Sequence, residues 1–197
     1  MSSPEEPLAT SANDPQPWQT LTTAVAFQNR WLTVMLDQVA LPTGVHYEYT
    51  RLGIAGVGVG VLGFNAAGQV LLEREYRHGV NQVVWQLPGG LAAPDEDLQA
   101  AGLRELAEET GYAPEIMDAD HIRYLGMVWD NPGFGPMGSH IFAAWDLVQT
   151  EVTRRDPAEF VTLHWMSLAW LKEAVRTGEI RDRVVVAALA YLFLLNG

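Results

Sequence analysis

Cysteine is absent from the 197-residue chain, which excludes disulfides, thiolate nucleophiles and any cysteine-ligated zinc site. Basic residues are scarce: 12 Lys and Arg stand against 24 Asp and Glu, giving a net charge of −12. That balance argues against a nucleic-acid partner and against an anionic membrane surface. No stretch approaches the roughly 18 uninterrupted apolar residues of a membrane span, and the apolar run 184–195 suits a buried helix instead. The opening MSSPEEPLATSANDPQP has neither a basic start nor an apolar core, so no secretory signal is expected. A soluble cytoplasmic protein is the expectation.

What is present is enough for one sizeable core. Hydrophobic residues make up 48% of the chain, with 7 tryptophans, and the length fits one domain with a small appendage. Residues 1–17 carry Pro, Ser, Asp and Glu and predict a disordered tail. Residues 18–52 read as a small antiparallel β subdomain: TAVAFQ, WLTVMLDQVAL, a Pro42-Thr43-Gly44 turn, then VHYEYTRL. Residues 53–197 form the main domain. There, 54–64 predicts one central strand, and 69–75, 122–129, 140–147 and 160–166 predict further strands. Helices are expected over 100–110, 167–177 and 182–195, and 87–90 reads as a loop. The class is α/β (α+β), a mixed sheet flanked by helices.

Residues 90–112 read GLAAPDEDLQAAGLRELAEETGY. Strong helix formers fill 100–110, and Gly111 stands where a C-terminal cap ends a helix. On that helix Glu105 is three residues from Glu108 and four from Glu109, so the three carboxylates share a face. Like charges so placed repel by roughly 0.2–0.5 kcal/mol per pair. A divalent cation with a taste for hard oxygen ligands, Mg²⁺ or Mn²⁺, offsets that repulsion. Arg104 can reach Glu108 one turn on and Glu96 behind it, holding carboxylates as a bidentate partner. In Leu87-Pro88-Gly89-Gly90 the glycines expose backbone, which makes the Gly89 carbonyl a further ligand candidate. The bland alternative is a solvated acidic helix face after an ordinary turn.

This segment resembles the Nudix box: Gly90, Glu96, Arg104-Glu105-Leu106-Ala107-Glu108-Glu109 and Gly111-Tyr112 occupy its defined positions. From about Trp18 to the C-terminus the chain resembles the ADP-ribose pyrophosphatase branch of the Nudix hydrolases. Val70 to Arg77 looks like the branch's strand ending in Gln-Tyr-Arg, with Glu75 in place of the glutamine. Trp85-Gln86-Leu87-Pro88-Gly89-Gly90 and Gly178-Glu179-Ile180-Arg181-Asp182 resemble two further segments. The resemblance implies a Nudix α/β/α sandwich with a mixed sheet, preceded by an N-terminal antiparallel β subdomain that pairs in a homodimer. It implies metal-dependent hydrolysis of a nucleoside diphosphate linked to another moiety, ADP-ribose giving AMP and ribose 5-phosphate. The alternatives are another nucleotide sugar or dinucleotide, such as a GDP-sugar or dinucleoside polyphosphate, or a non-catalytic nucleotide sensor.

By the same resemblance, Gly89, Glu105, Glu108 and Glu109 hold Mg²⁺ or Mn²⁺, with Gly90, Glu96 and Arg104 supporting the motif. Arg77 is a candidate for the substrate's phosphates or ribose, and Trp31 and Phe134 for stacking on a base. One position departs from the family. Aligned without a gap, Pro132-Gly133-Phe134 to Phe142 puts Met137 where a loop glutamate is the proposed general base in several members. Methionine cannot accept a proton. Either Glu105 or Glu108 then serves as base, or His140, Asp130 or Glu159 enters from nearby, or the activity is reduced or the substrate is other than ADP-ribose.

Overall fold

The computed structural model describes residues 14–54, 56–150 and 160–195. Most of the expected tail over 1–17, and the base candidate Glu159, lie outside the described residues. The chain divides into two compact units, Met1–Gly53 and Ile54–Gly197.

The first unit is a three-stranded antiparallel sheet in the order β1 (Gln19–Gln28), β2 (Leu32–Ala40), β3 (His46–Ile54). Asn29 turns the first hairpin by accepting the N–H groups of Trp31 and Leu32, both at 2.8 Å. Gly44, at φ +83°, turns the second. A single buried carboxylate then ties all three strands together. Asp37 in β2 accepts from Thr23 in β1 at 2.6 Å and from the Arg51 guanidinium in β3. Those two partners hold the Asp37 carboxyl below its usual range, Arg51 foremost. Every residue of β1 is exposed.

In the second unit, β4 (Val57–Gly63) lies at the centre of a four-stranded mixed sheet of order β7-β4-β10-β9. It runs parallel to β10 (Gly138–Ala144) and antiparallel to β7 (Gly89–Ala92), while β9 (Ile122–Trp129) closes the far edge against β10. Strand alternation makes the layers. Val59 and Val61 point to α1 (Leu98–Thr110) and join Ala101, Leu103 and Leu106. Gly60 and Leu62 point the other way, where Leu62 meets Val185, Leu189 and Leu192 of α3 (Arg183–Leu194). Helix α2 (Leu168–Thr177) adds Leu171 and Ala174 to that second core. A three-stranded antiparallel sheet of β12 (Val161–Ser167), β5 (Gln69–Arg77) and β6 (Gln82–Gln86), and a short pair of β8 (Tyr112–Pro114) and β11 (Leu147–Gln149), complete the unit.

The helices lie where the sequence places them, α1 beginning one half-turn earlier than expected, at Leu98. Asp97, Ser167 and Asp182 cap the three N-termini, and Gly111 and Gly178 take left-handed conformations at two C-termini. The strands needed correction. The expected strand 54–64 is two elements, since Ile54 ends β3 and β4 starts at Val57 beyond Gly56 at φ +95°. The expected strand 140–147 breaks at Asp146, which has φ +52°, into β10 and β11. The run 87–90 is only partly loop: from Gly89 it pairs in register with β4, Gly60 opposite Gly89.

Candidate active site

Backbone contact between β4 and β7 explains why glycine stands at 89. A Cβ there would lie 2.1 Å from the Val59 carbonyl oxygen, so any side chain would force the strands apart. At Gly90 the obstacle is different. A Cβ would sit 2.6 Å from the Glu105 carboxyl carbon, in space that the carboxylate itself fills. The glycine pair therefore lets α1 lay an acidic side chain directly on the sheet. Glu109, one turn on, accepts the Gly89 N–H at 2.8 Å.

Arg104 gathers the remaining carboxylates. Its Nε and Nη2 donate to Glu96 at 2.9 and 3.1 Å, and its Nη1 donates to Glu105 at 2.9 Å and Glu108 at 3.1 Å. Arg104, and after it the Ala93 N–H, pulls the Glu96 carboxyl down to about 2. Arg104 itself is raised above its ordinary value, chiefly by Glu96 and then by Glu105 and Glu108. In this arrangement no three acidic or imidazole groups among the described residues converge on one point. Glu105 and Glu108 are turned to the guanidinium and Glu109 to the backbone.

Beside this cluster opens a cleft of ≈ 980 Å³. Its floor is bare backbone, Gly58 and Gly60 from β4 with Gly89 and Gly90 from β7. One wall is β6 with Arg77, and another is the α2–α3 junction from Gly178 to Val184. Asp130 and Ser139 close the side toward β10. Val184 packs over Gly60, where a Cβ would come within 3.1 Å of its Cγ1. Glu105, Glu108 and Glu109 do not line the cleft; Gly89 and Gly90 connect it to them.

The other sequence candidates are distributed unevenly. Arg77 is at the cleft, bonded to Gln86 at 2.7 Å and paired with Glu75 at 2.9 Å, so the glutamate standing for a family glutamine anchors this arginine. Phe134 is 44% exposed and does not line the cleft. Trp31 belongs to the first unit, 64% exposed beneath the Arg30 guanidinium. His140 does not line the cleft. It follows Ser139 in β10 and so points to the opposite face, where Nδ1 meets the Tyr124 hydroxyl at 3.0 Å. Asp130 does line the cleft, but one of its oxygens is occupied by Arg183 and Ser139. Sequence reasoning missed Arg183, Ser139 and Trp85 as cleft residues. Only the matched segment 178–182 pointed toward that wall.

The NUDIX domain model matches residues 55–189. The chain belongs to the Nudix family. It is a Nudix hydrolase whose residues 18–52 also match the N-terminal domain of nucleoside diphosphate sugar hydrolases. It is similar to a methanol dehydrogenase activator of Bacillus methanolicus, 28% identical over 177 residues, 89% of this chain and 92% of the relative. An ADP-ribose pyrophosphatase of Bacillus subtilis strain 168 is 27% identical over 169 residues, 85% of this chain and 88% of the relative. A CMP-5'-(N-acetyl-N-hydroxy-3-aminopropyl)phosphonate hydrolase of Streptomyces rubellomurinus is 30% identical over 175 residues, 86% of this chain and 80% of the relative. A crystal structure of an ADP compounds hydrolase shares the fold, with TM-score 0.81, 21% identity, and coverage of 93% of this chain and 96% of that one.

Proposed function

We propose that this Nudix hydrolase cleaves the diphosphate of ADP-ribose, releasing AMP and ribose 5-phosphate, with Mg²⁺ or Mn²⁺ as cofactor. The observation that carries the reading is the meeting of a carboxylate-rich helix face with a glycine-floored cleft at Gly89 and Gly90. The relative named ADP-ribose pyrophosphatase, aligned over 85% of this chain, supports the choice of substrate.

The donor set suits a hard dication. Glu105, Glu108, Glu109 and the Gly89 carbonyl offer oxygen only, and the place a Cβ would fill at Gly90 is kept for the Glu105 carboxylate. When bound, the dication supplies the charge that neutralises the diphosphate and acidifies the attacking water. The residues do the rest. A carboxylate oxygen of Glu105 or Glu108 takes the proton as the water oxygen bonds to phosphorus. The bond from that phosphorus to the bridging oxygen breaks, and the bridging oxygen leaves with the other phosphate. Arg104 holds both glutamates from one nitrogen. Arg77, fixed by Gln86 and Glu75, offers its guanidinium to the substrate's anionic or ribose groups. Trp31 and Phe134 are proposed as stacking partners of the base, exposed as each is. A homodimer through the N-terminal sheet belongs to the same proposal, supported by exposed Trp18, Val25, Phe27 and Tyr47.

A second reading has its own support: the relative acting on a CMP-linked phosphonate aligns over 86% of this chain. A different nucleoside with a different linked moiety is then the substrate. A screen of nucleotide sugars and dinucleotides with Mg²⁺ and Mn²⁺, reading nucleoside monophosphate release, decides between them. Fastest turnover of ADP-ribose supports the first reading; preference for a cytidine compound supports the second. Tight ligand binding with no turnover on any compound refutes both.

A further inference from the structure

The loop joining β9 to β10 reaches the cleft through Asp130, its one residue in the cleft lining, and it is the segment in which methionine replaces the expected glutamate. Its ends are closed by the Asp130 N–H donating to the Met137 carbonyl at 2.9 Å. The Asp130 side chain then ties the loop to two other elements. Its Oδ1 accepts from Ser139 Oγ of β10 at 2.9 Å, and from Arg183 Nε at 3.0 Å and Nη2 at 2.6 Å. Arg183 is 53 residues away and opens α3.

Both anchors are themselves fixed. Ser139 is buried and stands opposite Gly58 in register; a Cβ on Gly58 would come within 2.7 Å of its hydroxyl. The backbone at Arg183 is held by the Asp182 cap, whose Oδ1 accepts from Val184 and Val185 at 2.9 and 3.0 Å. The Asp130 side chain is only 17% exposed while that of Arg183 is 49% exposed, so solvent screens the pair from one side only. Charged donors and acceptors make hydrogen bonds about twice as strong as neutral ones.

We infer that Asp130 and Arg183, both in the cleft lining, form a latch that fixes the 130–137 loop at the edge of the cleft and so sets which moiety, beyond the nucleoside diphosphate, the enzyme accepts. Both are positioning residues: they act through the loop's placement, not on the reacting atoms. The inference rests on the proposed reading that the cleft takes a nucleoside diphosphate derivative.

The test uses the full chain with Asp130→Ala, Arg183→Met, the double variant and Arg183→Lys. Hydrogen exchange followed by mass spectrometry reads the loop without any substrate. Amides of 131–138 are expected to exchange about tenfold faster in each single variant, as loss of a charge-assisted bond implies. The double variant should be no worse than either single one, because the two residues act as a unit. Kinetically, the loss should fall on KM more than on kcat. It should differ in size between ADP-ribose and a bulkier dinucleotide, and Arg183→Lys should recover part of it. Unchanged loop exchange overturns the latch, as does faster exchange spread evenly over the chain. An equal rise in KM for every substrate overturns its role in specificity. Failure of the wild-type protein to turn over any substrate refutes the hydrolytic reading, while the exchange measurement still decides whether the latch exists.

Discussion

Replacing Gly90 with alanine should injure the site while leaving the fold almost intact. The backbone at Gly90 is outside the left-handed region, unlike Gly56 or Gly111, so alanine brings little conformational strain. Its methyl would, however, lie 2.6 Å from the Glu105 carboxyl carbon and 2.8 Å from both carboxylate oxygens. Ordinary contact begins near 3.4 Å, so the carboxylate must retreat by most of an ångström. The obstacle is the end of a flexible side chain, which can move. Moving strains the 2.9 Å bond to Arg104, and a charged hydrogen bond is worth about 1.5–3 kcal/mol when fully lost. A partial loss near 1 kcal/mol lowers Tm by about 2–4 °C for a chain of this size. Activity should suffer far more, since a displacement of about 1 Å costs on the order of 10²-fold in a positioned site. The assay pairs AMP release from ADP-ribose, at saturating Mg²⁺ and Mn²⁺, with thermal denaturation of the same samples. Wild-type kcat/KM in a well-folded Gly90→Ala protein would refute the placement of Glu105 in the reaction. Gly89→Ala is the contrasting control, because there the methyl meets backbone at 2.1 Å and the protein should be strongly destabilised.

Among the glutamates, Glu105→Gln or Glu108→Gln should lower kcat by at least ~10²-fold if that residue is the base, whereas His140→Ala, turned toward Tyr124, should change it little; the reverse pattern in steady-state kinetics would overturn the assignment. The pull on Glu96, from 4.5 to about 2, means its link to Arg104 stabilises the folded state fully above pH 4.5 and loses that effect as the pH falls toward 2. Acid titration followed by NMR of the Glu96 carboxyl should find this low value, and Arg104→Gln should return it toward the ordinary range; an unmoved value in the variant would contradict the cause. Asp37→Ala should destabilise the N-terminal sheet by about 1–3 kcal/mol, because the buried carboxylate serves both Thr23 and Arg51; urea unfolding that matches wild type would show that the tie contributes nothing.

Much of the acidic cluster was legible because its determinants are local. Gly111 and the spacing of Glu105, Glu108 and Glu109 declare a helix with one acidic face, and Arg104 reaches Glu108 one turn on as that helix geometry requires. Strand β7 was missed because a four-residue strand beginning Gly-Gly carries no alternation and looks like a turn. Its identity as a strand comes from pairing with β4, a partner about 30 residues earlier in the chain. The break at Asp146 rests on a left-handed backbone at a residue type that tolerates it without announcing it. The far wall of the cleft was the least legible part. Asp130 and Arg183 meet only because β9 and α3 lie against the same sheet, and no short-range pattern in the sequence encodes that meeting.

The carboxylate of Asp37 has a consequence for assembly kinetics. One side chain bonded to both neighbouring strands fixes their registers together, so the N-terminal sheet is a finished plate even though β1 is exposed along its whole length. For any molecule that docked on that plate, the strand registers would already be set. Little ordering entropy then opposes association, and the encounter rate should follow diffusion and orientation without a slow folding step. Protonation of Asp37, whose carboxyl Arg51 and Thr23 hold below its ordinary range, would weaken the tie that keeps the three strands in register.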